Sequence, residues 1–173
     1  IRPADANETR EAWIAALKNS SGPTILSLSR QSLPVITDKT TVNNVQNGAY
    51  IIYDTDGEPD AIILSSGSEV STSVEAAKEL KSKGKKIRVV SFPSWELFDK
   101  MDSAYKEKIL MHGKKKIVVE AGLRMGWEKY AGNHALYITM ESFGASAPYS
   151  ELEKHFGFSA DQIIEKIENY LNN

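Results

Sequence analysis

A chain of 173 residues has room for one ordinary domain, or for one domain and part of a second. Its formal net charge of -2 and near-average apolar and charged content exclude a broad basic footprint for nucleic acid or anionic membrane and point to a folded core. The absence of cysteine rules out disulfides, thiolate metal sites and a cysteine nucleophile, and suits a reducing cytoplasm.

No apolar run approaches the ~20 residues of a membrane span. The start, IRPADANETREAW, is charged and has no apolar signal-peptide stretch. It does carry helix punctuation: Asp5 is a natural N-cap, Glu8 sits three residues on as in a capping box, and Trp13, Ala16 and Leu17 recur at helical spacing. Pro23 leads into Thr24–Ser29, which reads as a strand. One helix and one strand make no core, so this pair is expected to close a larger unit, with the chain truncated ahead of Ile1. Residues 31–47 are polar and turn-rich, and read as a linker.

Beyond the linker, strands and helices alternate. AYIIYD and DAIILSS read as strands around a turn, SEVSTSVEAAKELKSKG as an amphipathic helix and KIRVVSF as a strand. SWELFDKMDSAYKEKILM follows as one or two helices and KKIVVEAG as a strand; MGWEKYAG is a short helix, ALYITM a strand and SADQIIEKIENYL a strongly patterned helix. Short apolar strands between helices predict an α/β fold, a mostly parallel, mixed sheet in three αβα layers.

Several groupings could carry chemistry. Arg30 ends an apolar run, where strands deliver side chains to the carboxyl edge of a sheet; its guanidinium suits phosphate or carboxylate, and an interdomain ion pair is the alternative. SSGSEV, with Gly67 and Ser68, is a strand-to-helix turn that could cradle a nucleotide or other anion, but Glu69 would repel one, and plain capping is the favoured reading. The lysines of 78–86 and 114–116 read as solvated surface, and His112, His134 and His155 lack metal-ligand spacing. EAGLRMGWEKYAG, presenting Trp127 and Tyr130, and ESFGASAP, with Phe143, read as domain or subunit contacts, with ordinary core turns the alternative.

Taken in order, RPADANE, SLSRQSLPV, GSEVSTSVEAAKEL, IRVVSFPSWELFD, EAGLRMGWEKYAG, FGASAP and FGFSADQIIEKI resemble the C-terminal part of the transketolase family over nearly the whole chain. S-R-Q-x-L-P with P-S-W-E-L-F-D favours that family over other thiamine enzymes of similar domain order. The resemblance implies a cytoplasmic homodimer of three-domain chains. These would use thiamine diphosphate and a divalent cation (magnesium or calcium) to move a two-carbon ketol unit from a ketose phosphate to an aldose phosphate in the pentose phosphate pathway. It places residues 1–30 as the closing helix and strand of the pyrimidine-binding domain, 31–47 as linker and 48–173 as the C-terminal domain. Arg30 becomes a holder of substrate phosphate. Catalytic, cofactor and metal residues would lie upstream, leaving this piece a scaffold and dimer contact that is inactive alone. Thr139 and Glu141 depart from the glycine and aspartate usual in the family. A free-standing anion-binding module at Gly67 and Ser68 and a pure dimerisation piece are the competing readings.

Overall fold

The computed structural model describes residues 1–38 and 42–172. Its centre is a five-stranded sheet in the order β1 (Tyr50–Tyr53), β3 (Ile87–Ser91), β2 (Ala61–Ser65), β4 (Lys115–Glu120), β5 (Leu136–Thr139). β1 runs antiparallel to β3, and the other pairings are parallel. The near-continuous apolar runs of β2, β3 and β4 reflect burial on both faces.

One face is covered by α2 (Glu69–Ser82) and α7 (Ala160–Asn172), which put Ala77, Leu80, Ile163 and Ile167 against Ile63, Val89 and Val119. The other carries α3 (Trp95–Asp99), α4 (Ser103–Leu110) and α5 (Glu128–Ala131), with Phe98, Ile109, Trp127 and Tyr130 on Ile62, Leu64, Val90 and Val118. The result is the three-layer α/β architecture expected from the alternating pattern. Trp127 and Tyr130, expected at an interface, instead pack against Phe92, Trp127 edge-on and Tyr130 tilted, and fill the core.

Two other expectations need correction. The first helix, α1 (Ala6–Lys18), is capped by Asp5 as predicted, yet its inward face is Glu8, Glu11 and Ala12. Trp13 and Leu17 point outward, 53% and 81% exposed. The segment Thr24–Ser29 is extended but joins no sheet, since a strand pattern makes a strand only where a ladder partner exists. Within residues 31–47, Val42–Asn47 form a 3₁₀ helix whose Val42 and Val45 are buried with Tyr50. Residues 39–41 of that stretch lie outside the described residues. A further helix, α6 (Tyr149–Phe156), has no fully buried residue, although Tyr149, Leu152 and Phe156 share one face and Phe156 packs against the core.

Candidate functional site

In an open α/β sheet, the chemistry-bearing place is the crevice at the strands' carboxyl ends where successive connections leave for opposite faces. Here that crevice lies above β2 and β4, which are neighbours. The chain leaves β2 into α2 on one face and leaves β4 toward α5 on the other.

The crevice is occupied by Arg2. Its guanidinium pairs with Glu69 at 2.6 Å and with Glu120 at 2.9 Å, and donates to the Ser66 carbonyl. Ser66 Oγ donates to the other Glu120 oxygen at 2.6 Å, and the Ala121 N–H donates to Glu69 at 3.1 Å. Arg2 is also held through its backbone, donating to the Pro93 carbonyl at 2.8 Å and accepting from the Gly67 N–H at 3.1 Å. Gly67 has φ +60°, and a Cβ there would meet the guanidinium carbon at 2.5 Å, so glycine is what lets Arg2 lie across the turn. Burial raises the Glu120 carboxyl to about 7, with Arg2 opposing the rise and Glu69 adding to it.

This geometry removes the basis for an anion cradle at SSGSEV. The turn faces two carboxylates and already holds a cation, and Ser68 makes no side-chain cap bond. It leaves no seat for a metal ion either, because both carboxylates are taken by Arg2 and hydroxyls. Among the described residues no group of three or more His, Asp or Glu side chains is placed to hold a metal.

A polar seam joins the N-terminal segment to the sheet. Glu8, fully buried, accepts from Tyr50 Oη and Ser91 Oγ, both at 2.6 Å, and from the Ala4 N–H at 2.7 Å. Burial drives its carboxyl upward against these hydrogen bonds. Asp5 caps Glu8 N–H and also accepts from the N–H groups of Ile36 and Thr37, all at 2.9 Å.

From this seam the segment bearing Arg30 departs. Ile1 N donates to the Ile25 carbonyl at 2.7 Å, and Ser27 N–H donates to the Ile1 carbonyl at 2.9 Å, a two-bond parallel pairing. Ser29 and Gln31 line a groove of about 230 Å³ with Pro3, Ala6 and Thr9. Arg30, between them at a bend of the chain, is exposed and makes no ion pair among the described residues.

Comparison with known proteins gives these features a family. The family model "Transketolase-like TK C-terminal domain" matches residues 48–159, about two thirds of the chain. The chain belongs to the transketolase family. Curated relatives include the transketolases of Nostoc sp., 44% identical over 99% of this chain, and of Staphylococcus epidermidis, 46% identical over 96%. Each match takes up 26% of the relative. Similar solved structures include transketolase from Leishmania mexicana, at TM-score 0.89 and 38% identity. Another is a Pichia stipitis transketolase in complex with sedoheptulose-7-phosphate, at 0.90 and 34%. Each covers 99% of this chain, which spans 25% of the solved one.

As the C-terminal part of a transketolase, this chain spans about a quarter of the relatives it matches. Its outward apolar residues accord with that. Trp13, Leu17, Ile25 and Leu28, all more than half exposed, sit on the N-terminal segment, and Leu123, Met125 and Phe143 stand on the loops after β4 and β5. The other candidates carry less. Lys114 is paired with Glu58, Lys115 donates to the Tyr170 carbonyl, and His112 bonds Glu107 on the same surface turn. No helix among the described residues is long and apolar enough to cross a membrane.

Sequence reasoning singled out Arg30 and passed over Arg2. Glu69 gave no hint of it, because an acid in the first turn of α2 is favoured by the helix dipole alone.

Proposed function

We propose that this chain is the C-terminal quarter of a thiamine-diphosphate-dependent transketolase, and that Arg30 is its one direct contact with substrate, gripping the phosphate of the sugar. What supports the reading is the contrast between the two arginines. Arg2 is consumed by carboxylates, whereas Arg30 is exposed, without an acidic partner among the described residues, on a segment whose Ser29 and Gln31 line a groove. A guanidinium in that state can give two parallel charge-assisted hydrogen bonds to a phosphate at small reorganisation cost.

In this reading residues 1–30 close the pyrimidine-binding domain, 31–47 link it, and 48–173 are the C-terminal domain of a cytoplasmic homodimer. Thiamine diphosphate with a divalent cation, held by parts of the enzyme outside this chain, supplies the carbanion that carries the two-carbon ketol unit between ketose and aldose phosphates. Arg30 contributes positioning: holding the remote phosphate orients the reacting carbonyl and makes productive encounters frequent. The acidic, filled crevice at Gly67 and Ser68 speaks against the nucleotide-binding module.

In a full-length transketolase carrying this sequence, Arg30→Ala raises KM for phosphorylated donors by roughly tenfold or more, as expected for charged hydrogen bonds worth about 1.5–3 kcal/mol. KM for an unphosphorylated ketose stays within about twofold. Equal loss on both substrates contradicts the role.

A further inference from the structure

We propose that Arg2 is a positioning residue for Arg30: by locking into Glu69 and Glu120 at the carboxyl edge of the sheet, it fixes the segment that presents Arg30 to substrate. The inference rests on the reading of Arg30 as the phosphate-holding group.

The connection is short and continuous. Arg2 is bound on three sides, by the two carboxylates, by the Pro93 carbonyl and by the Gly67 N–H, so its backbone cannot shift without breaking buried bonds. The neighbouring Ile1 makes both backbone bonds that anchor the extended segment, to Ile25 and Ser27. Arg30 lies three residues beyond Ser27. Among the described residues, 24–30 make no other backbone hydrogen bond outside their own segment, so the pairing with Ile1, next to Arg2, sets where they run. Apolar packing does not take over the task, because Ile25 and Leu28 are mainly exposed.

The lock is also charge-unbalanced, with one guanidinium for two buried carboxylates. The charged and titratable groups around it are Arg2 from the N-terminal segment, Glu69 from α2, Glu120 from β4, Glu96 of α3, which lines the same cleft, and, facing Glu69, Tyr149 of α6. Ser66 and Ser68 complete the shell as hydroxyl donors. Remove the guanidinium, and Glu69 and Glu120 face each other without a cation. One must then keep a proton, which alkaline solution withdraws. The positioning should therefore fail more at high pH than at low pH in an Arg2 variant.

The test uses full-length transketolase containing this sequence, with Arg2→Met, Arg30→Ala and the double variant. Arg2→Met is expected to raise KM for a phosphorylated donor about fivefold, well below the ~100-fold that a misplacement of about 1 Å at a reacting centre can cost. The rise should grow from pH 6 to pH 8.5 and leave an unphosphorylated ketose unaffected. The double variant should be no worse than Arg30→Ala, because Arg2 acts only through Arg30. If Arg2→Met fails to fold, Arg2→Lys, which keeps the charge but loses the fork, should give a smaller rise with the same selectivity. Additive losses, or an equal loss on both donors, overturn this inference while leaving a selective Arg30→Ala effect standing. If Arg30→Ala shows no selectivity of its own, the phosphate reading falls first and this inference with it.

Discussion

Replacing Glu8 by alanine is expected to lower the stability of this chain by about 3–5 kcal/mol, a large part of the 5–15 kcal/mol typical of a domain. Glu8 is fully buried, and its two oxygens take three donors: Tyr50 Oη, Ser91 Oγ and the Ala4 N–H. Alanine strands those donors in a space without water and leaves a void where the carboxyl group was, and each stranded group costs about 1–3 kcal/mol. The hydroxyls can rotate in search of other acceptors, which is why the total falls below a simple sum. Glu8→Gln keeps the shape and one acceptor oxygen, but turns an amide donor toward the Ala4 N–H, so about 1–2 kcal/mol is expected. Urea unfolding at neutral pH reads both variants. A loss below about 1 kcal/mol for Glu8→Ala would mean that the seam does not hold α1 to β1 and β3.

The second large effect is a pH dependence that runs opposite to ordinary acid denaturation. The Glu120 carboxyl is raised from its usual 4.5 to about 7, chiefly by burial. Between those pH values the folded chain keeps a proton that the unfolded chain has lost, so stability from this group is present at acidic pH and declines as pH rises to about 7. At ~1.36 kcal/mol per pH unit, a rise of that size corresponds to roughly 3 kcal/mol. Glu8, raised in the same direction by burial, adds to the trend. The clean readout is Glu120→Gln, which mimics the protonated acid at every pH. Its stability relative to the native sequence should climb by roughly 3 kcal/mol from pH 4.5 to pH 8 and then level off. A difference that stays flat across that window would show that Glu120 is ionised throughout, fully balanced by Arg2.

Both effects arise at joints the sequence does not announce. β2, β3, β4 and α7 could be read because their signals are local: apolar runs for strands buried on two faces, and Ile163, Ile164 and Ile167 at helical spacing. The orientation of α1 could not. Its apolar stripe of Trp13 and Leu17 implies an inward face, yet Glu8 and Glu11 turn inward instead, and the side-chain partners of Glu8 lie 42 and 83 residues away. The strand pattern of Thr24–Ser29 misled for the same reason, since pattern records what a segment is fit to pair with and says nothing of whether the partner is at hand.

At the candidate site, Arg30 drew notice because a guanidinium ends an apolar run, a pattern that an interdomain ion pair would also produce, and the resemblance of S-R-Q to the family motif singled it out. Arg2 gave no such signal, sitting one residue before a proline in a charged stretch. Trp127 and Tyr130 invited an interface reading through the small residues around them. They went instead into the core, where Phe92 and Phe98 had left room for large rings.

The claim that Arg30 holds the sugar phosphate is tested most directly by the structure of a full-length transketolase carrying this sequence with a ketose phosphate bound. The account predicts guanidinium nitrogens about 2.7–3.0 Å from phosphate oxygens, with Arg2 still paired to Glu69 and Glu120. A phosphate more than about 6 Å from Arg30, with that side chain ion-paired to a carboxylate of the neighbouring domain, would contradict it.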